Sequence, residues 1–161
     1  MNEIIKLSVS KIGAAVDQLD WSIRLFMDHK AYIPSITLAG AAEEILGQSN
    51  GEDSAFVILK RSLSSKFSLN EKVVSQSYLN HVRNWLKHWD KKNDLETIEI
   101  EPEAEAIQYI IRALVNIYRY DNSLPSQGPR FIKWLVDNKS DLIDPSSEKL
   151  AGFLSEVASL A

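Results

Sequence analysis

The residues best equipped for chemistry lie in the segment from Arg83 to His88, which reads Arg-Asn-Trp-Leu-Lys-His. A guanidinium stays charged at physiological pH, whereas an imidazole gains or loses a proton near neutrality. Together they could act on a phosphodiester of RNA without a metal ion. The imidazole would take the 2′-OH proton or protonate the leaving oxygen, and the guanidinium would stabilise charge on the phosphate.

Helical geometry decides which of these side chains can meet. Residues five apart on a helix point about 140° away from each other, so Arg83 and His88 do not converge within one chain. His81, Asn84 and His88 share one face, with Lys87 beside Arg83 on another. Pairing with a second copy of the helix would bring Arg83 and His88 together and supply one base and one acid.

The spacing of this pair also occurs elsewhere in the chain. Arg24 and His29 are separated by the same number of residues, at the end of the predicted first helix, where His29 is interpreted as C-terminal capping. The Arg83–His88 pair differs from the Arg24–His29 pair because Asn84 directly follows its arginine and because it lies within a basic segment. For Arg83 an ion pair with Glu43 or Glu44 is an equally good interpretation. Asn84, Lys87 and Glu44 are predicted to support the catalytic pair of Arg83 and His88.

Charge and composition exclude several classes of protein. The 161 residues carry a net charge of −4, yet Lys60 to Lys92 holds eight basic and two acidic residues. Such a segment could attract phosphate, or simply form a solvated helix face. The absence of cysteine excludes disulfides and thiolate zinc sites, and three histidines predict no metal and no cofactor. We find neither a signal-peptide layout nor a transmembrane run, which predicts a cytoplasmic protein.

Apolar residues recur at helical spacing along nearly the whole chain. The sequence predicts an all-α, up-and-down bundle in a single domain, 1–161, with Trp85 and Trp89 on the buried stripe of the fourth helix and Ser35 as the N-cap of the second. Residues 97–101 read as an extended connector. The predicted helices run from about residue 5 to 30, 36 to 46, 53 to 66, 71 to 92, 103 to 120, 130 to 138 and 145 to 160.

Two features of the chain resemble the HEPN superfamily. One is Arg83-Asn84 followed by His88, and the other is the small-residue helix Leu38-Ala39-Gly40-Ala41-Ala42 with Glu43 and Glu44 near its end. The resemblance covers about residues 11–120. It implies a HEPN-type bundle over 1–120, with 121–161 as a C-terminal helical extension.

The resemblance also implies a function and partners. Arg83 and His88 of two subunits would form a composite cleft in a homodimer with metal-independent endoribonuclease activity, as in toxin or defence ribonucleases that an antitoxin-like partner protein neutralises. The alternative is a catalytically inactive HEPN-like dimeric module that binds a partner protein or a nucleotide. A metal-bound four-helix hydrolase is disfavoured by the scarcity of ligands.

Overall fold

The computed structural model describes residues 4–93 and 95–142, and every regular element within them is helical. The predicted all-α class is therefore confirmed for this part of the chain, while the HEPN type of bundle stays a prediction. The α-helices are α1 (Lys11–His29), α2 (Tyr32–Asn50), α3 (Ala55–Phe67), α4 (Glu71–Val73), α5 (His81–Lys87), α6 (Pro102–Asp121) and α7 (Gly128–Asn138). Short 3-10 turns follow α2 and α7, and a π-helical segment, Val74–Leu79, continues α4.

The core forms where α2 packs against both α1 and α6. Small residues on α2, among them Ala39 and Ala42, are fully buried and let the neighbouring helices approach closely. α7 contributes Phe131 to the same core, where its ring meets the edge of Phe26 at 5.5 Å between centroids. The first helix of the predicted C-terminal extension thus shares the core with the bundle.

The start of α2 differs from the prediction. The sequence predicts a break at residues 32–35 with Ser35 as N-cap, but the helix begins at Tyr32. Pro34 fits the first turn because amide groups there have no intrahelical partner to lose. Ser35 is buried instead, and its hydroxyl donates to the Ser22 carbonyl at 3.0 Å.

The single helix predicted for residues 71–92 is wrong. A π-helical turn, marked by the Asn80 amide donating to the Ser75 carbonyl at 3.0 Å, precedes a break before α5. A π turn holds an extra residue and so rotates the side chains that follow it. Tyr78 is consequently 59% exposed, whereas Leu79 is buried.

The predicted continuation of that helix beyond His88 is also wrong. His88 already has an extended backbone, with φ −126° and ψ 148°. Trp89, which the sequence places on the buried stripe, is therefore 74% exposed. The indole of Trp85 donates to the Leu95 carbonyl at 2.8 Å, so the chain after α5 folds back onto it.

Two further boundaries differ from the prediction. The first helix, predicted from about residue 5, begins at Lys11, where the Ser10 hydroxyl caps it by accepting from the Gly13 amide at 2.9 Å, and Ile5 is 84% exposed. The second helix, predicted to end at residue 46, continues to Asn50. The C-cap of α1, Lys30, has a left-handed conformation, residues 97–101 form no regular element, and α7 lies where a helix is predicted. The helix predicted for 145–160 lies outside the described residues. Within the described ranges, no helix is both long enough and apolar enough to cross a membrane.

Candidate acid–base site on α5

The short helix α5 is held against α2 at a point where α2 has no side chain. Val82 is buried beneath α5, and the side chain of Arg83 lies directly over Gly40. A Cβ at Gly40 would come within 2.6 Å of Arg83 Cδ. Glycine therefore allows this close approach of Arg83. It lowers the intrinsic stability of α2 but lets the arginine side chain pack directly on the helix backbone.

Arg83 is directed into a cluster of acidic groups on α2. Its Nη1 lies 3.5 Å from Glu43 Oε2, 3.8 Å from Glu44 Oε2 and 3.5 Å from the Gly40 carbonyl. Only 15% of the Arg83 side chain is exposed. The ion-pair interpretation left open by the sequence is thus confirmed as a contact.

Glu43 is buried between two guanidinium groups. Besides Arg83, Arg112 of α6 approaches its Oε2 to 3.9 Å. Burial raises the pKa of the Glu43 carboxyl, and the positive charges of Arg112 and Arg83 oppose that rise. The free-energy cost of removing the Glu43 carboxylate from water thus exceeds its stabilisation by the two guanidinium groups, as is common for buried ion pairs.

Arg112 also donates to the last residue of the π-helical segment that precedes α5. Its two terminal nitrogens lie 3.4 Å from the Leu79 carbonyl, and the Tyr109 hydroxyl donates to the same oxygen at 2.9 Å. Burial raises the pKa of the Tyr109 phenol, which keeps it a donor. Two side chains of α6 thereby hold the segment that orients α5.

On its other face α5 borders a groove of about 510 Å³. His81, Asn84 and His88 all line it, as the helical spacing predicts for side chains on one face. Both histidines are exposed. The lining is completed by Gln76, Trp85, Asn93, Leu95 and Ile98.

Arg83 and His88 therefore lie in different surroundings within one chain. Arg83 contacts α2, whereas His88 lines the groove, in agreement with the predicted divergence of about 140°.

Lys87 lies 3.5 Å from Glu44, and both side chains are about half exposed. The cluster of Arg83, Lys87, Arg112, Glu43 and Glu44 holds three cations and two carboxylates, a formal charge of +1.

The sequence argument missed Arg112 and Tyr109. A signal for them exists in the sequence. Beside the apolar stripe that contains Ile107, Ile110 and Leu114, α6 carries a second row at helical spacing, which consists of Ala106, Tyr109, Ala113 and Asn116. A helix with two such rows is buried on most of its surface. Arg112, three residues after Tyr109 and four before Asn116, lies at the edge of the second row, so its charged side chain must find buried partners.

A larger cavity of about 760 Å³ lies elsewhere, between the α1–α2 link and the connector before α6. Its lining includes Lys30, Tyr32 and Glu99 but none of the site residues predicted from the sequence.

The chain matches no family model, and comparison with curated proteins and with solved structures finds no similar protein.

Proposed function

We propose that this chain is a HEPN-like, metal-independent endoribonuclease that acts as a homodimer, with His88 as a catalytic imidazole. The observation that supports the proposal most is the position of His88. It is exposed at the end of α5 and lines a groove rich in polar side chains. An imidazole in such a place is accessible to substrate and can act as a general acid or base.

Arg83 is the guanidinium that the family resemblance assigns to the phosphate. In this chain its Nη1 faces Glu43 and Glu44, so a phosphate would have to replace Glu44 as a partner. Glu44 is about half exposed and Lys87 lies beside it, so that exchange would occur at the protein surface. The formal charge of +1 on the cluster favours an incoming anion.

A dimer is supported by apolar surface next to His88. Trp89 is 74% exposed and Leu95 is 68% exposed, and both line a second cavity of about 350 Å³ that His88 also lines. Adjacent exposed apolar side chains of this size commonly mark an interaction surface. A second copy covering them would lie beside His88.

The test is cleavage of a single-stranded RNA oligonucleotide by the full-length chain in EDTA. We expect cleavage by the wild type and a loss of about 100-fold or more in His88→Ala, the usual contribution of general acid–base catalysis. His29→Ala is the matched control, because His29 is exposed at the end of a helix with Arg24 at the same spacing. Wild-type levels of cleavage in both His88→Ala and Arg83→Ala would overturn the proposal.

One observation favours the inactive dimeric module as a second function. Arg83 is largely covered and paired with carboxylates, which is what a structural role in holding α5 requires. This alternative expects a dimer by light scattering, no cleavage by the wild type, and lower stability in Arg83→Ala. Binding of a nucleotide or of a partner protein would then be its activity, with an antitoxin-like protein as one such partner.

A separate pair of variants tests the proposed dimer surface. Trp89→Asp should convert the dimer to monomer in light scattering. Trp21→Asp changes an equally large, 54% exposed indole on α1 and should leave the dimer intact. A dimer that persists in Trp89→Asp would show that the copies meet elsewhere.

A further inference from the structure

The groove beside α5 contains two imidazoles from the same chain. His81 opens the helix and His88 follows its last residue, and both line the groove of about 510 Å³. A volume of this size lies within the range of small-ligand sites, roughly 300–1,000 Å³. The groove thus has room for a nucleotide unit between two imidazoles, which can serve as general acid and general base.

The spacing of the two histidines suits a bridging phosphodiester. They are seven residues apart, which is two helical turns with a rise of about 10 Å and an angular offset of only about 20°. The His88 amide still donates to the Asn84 carbonyl at 3.0 Å, so His88 begins its departure from the helix only one residue beyond α5. Two imidazoles about 10 Å apart at the backbone can reach opposite sides of one phosphate through hydrogen bonds of about 2.8 Å.

The remaining walls suit a nucleobase. Trp85 is held by its hydrogen bond to the Leu95 carbonyl and, with Ile98, gives the groove an apolar side on which a base can stack. The amides of Gln76, Asn84 and Asn93 offer donors and acceptors for base edges or ribose hydroxyls. Stacking against one wall and hydrogen bonding to the other is how unpaired RNA bases are recognised.

We propose that His81 and His88 of one chain form the acid–base pair for cleavage of single-stranded RNA bound in this groove. The proposal rests on the ribonuclease function above and changes the source of the second imidazole, which comes from the same protomer. One imidazole takes the proton of the 2′-OH as the 2′-oxygen forms a bond to phosphorus. The other gives a proton to the 5′-oxygen as the bond between phosphorus and that oxygen breaks.

The first test reads binding without cleavage. The chain has three histidines, so their imidazole resonances can be assigned by single substitutions. Titration with a 2′-O-methyl RNA oligonucleotide, which lacks the attacking hydroxyl, should shift the resonances of His81 and His88 and leave His29 unchanged. Resonances of His81 and His88 that do not move would overturn the proposal.

The second test locates the pair by cleavage in EDTA. His81→Ala and His88→Ala should each lose about 100-fold or more of the rate. Co-expression of the two variants should not restore it, because no protomer then carries both imidazoles. Restoration in the mixed dimer, or wild-type cleavage by His81→Ala, would overturn the single-chain pair and leave the ribonuclease proposal standing. A wild-type chain that binds in the first test but does not cleave would overturn both the ribonuclease proposal and the acid–base pair.

Discussion

Gly40→Ala is expected to reveal how Arg83 is held. An added Cβ would lie 2.6 Å from Arg83 Cδ and 3.0 Å from its Cγ, so the arginine side chain must move. Movement separates it from Glu43, which is buried and would lose one of its two cationic neighbours. A lost hydrogen bond to a buried charged group costs about 2 kcal/mol.

Helix propensity acts in the opposite direction. Replacing a glycine inside a helix by alanine stabilises it by about 1 kcal/mol, so the net effect of Gly40→Ala should be a destabilisation of about 1 kcal/mol. In an Arg83→Ala background the clash disappears, because the Cβ of residue 83 is 3.9 Å away, an ordinary contact. There Gly40→Ala should stabilise by about 1 kcal/mol, which gives a coupling of about 2 kcal/mol.

Urea denaturation followed by circular dichroism measures all four variants of this cycle. Gly47→Ala is the matched control on the same helix, since its nearest neighbour would be Asn116 Nδ2 at 3.4 Å and Arg83 is not among its contacts. It should have the same effect in both backgrounds. If Gly40→Ala destabilises equally with and without Arg83, the reasoning about this contact is refuted.

Two further predictions concern the buried polar groups behind α5. The pKa of Glu43 is raised by burial, so the stability it contributes is present below the ordinary pKa of a glutamate and is lost as pH rises through the raised value. In pH-dependent urea denaturation, Glu43→Gln should therefore gain stability relative to wild type as pH rises above 4.5, the ordinary glutamate pKa. If the stability difference instead changed in favour of wild type as pH rises, the positive charges of Arg83 and Arg112 would outweigh the effect of burial on the Glu43 carboxyl. Tyr109→Phe removes the hydrogen bond to the Leu79 carbonyl and should cost about 1 kcal/mol, and an unchanged melting curve would contradict this.

Local periodicity was sufficient for much of the fold. The sequence predicts both ends of α6 and the end of α1 to within one residue, because burial there follows the 3.6-residue repeat. It predicts the start of α1 near residue 5, but the helix begins at Lys11. The break between Val74 and His81 could not be predicted in this way. Its Leu79 carbonyl is satisfied by Tyr109 and Arg112, which lie 30 and 33 residues away in sequence.

For the candidate site too, local spacing predicts one part, and the other part depends on tertiary packing. Helical spacing predicts that His81, Asn84 and His88 share a face, and they line one groove. For Arg83 the spacing leaves catalysis and an ion pair equally open, since the choice depends on where α2 lies. The structure adds the contact with Glu43, whose other neighbour, Arg112, belongs to a third helix.

The chemical ends of the RNA fragments test the proposed function most directly. Attack by a 2′-oxygen, with imidazoles moving the protons, leaves a 2′,3′-cyclic phosphate on one fragment and a 5′-hydroxyl on the other. Mass spectrometry of an oligonucleotide cleaved in EDTA should show these ends for the wild type and for His29→Ala, and only intact substrate for His88→Ala. Fragments that end in a 3′-hydroxyl and a 5′-phosphate, or an intact substrate with the wild type, would contradict the proposal.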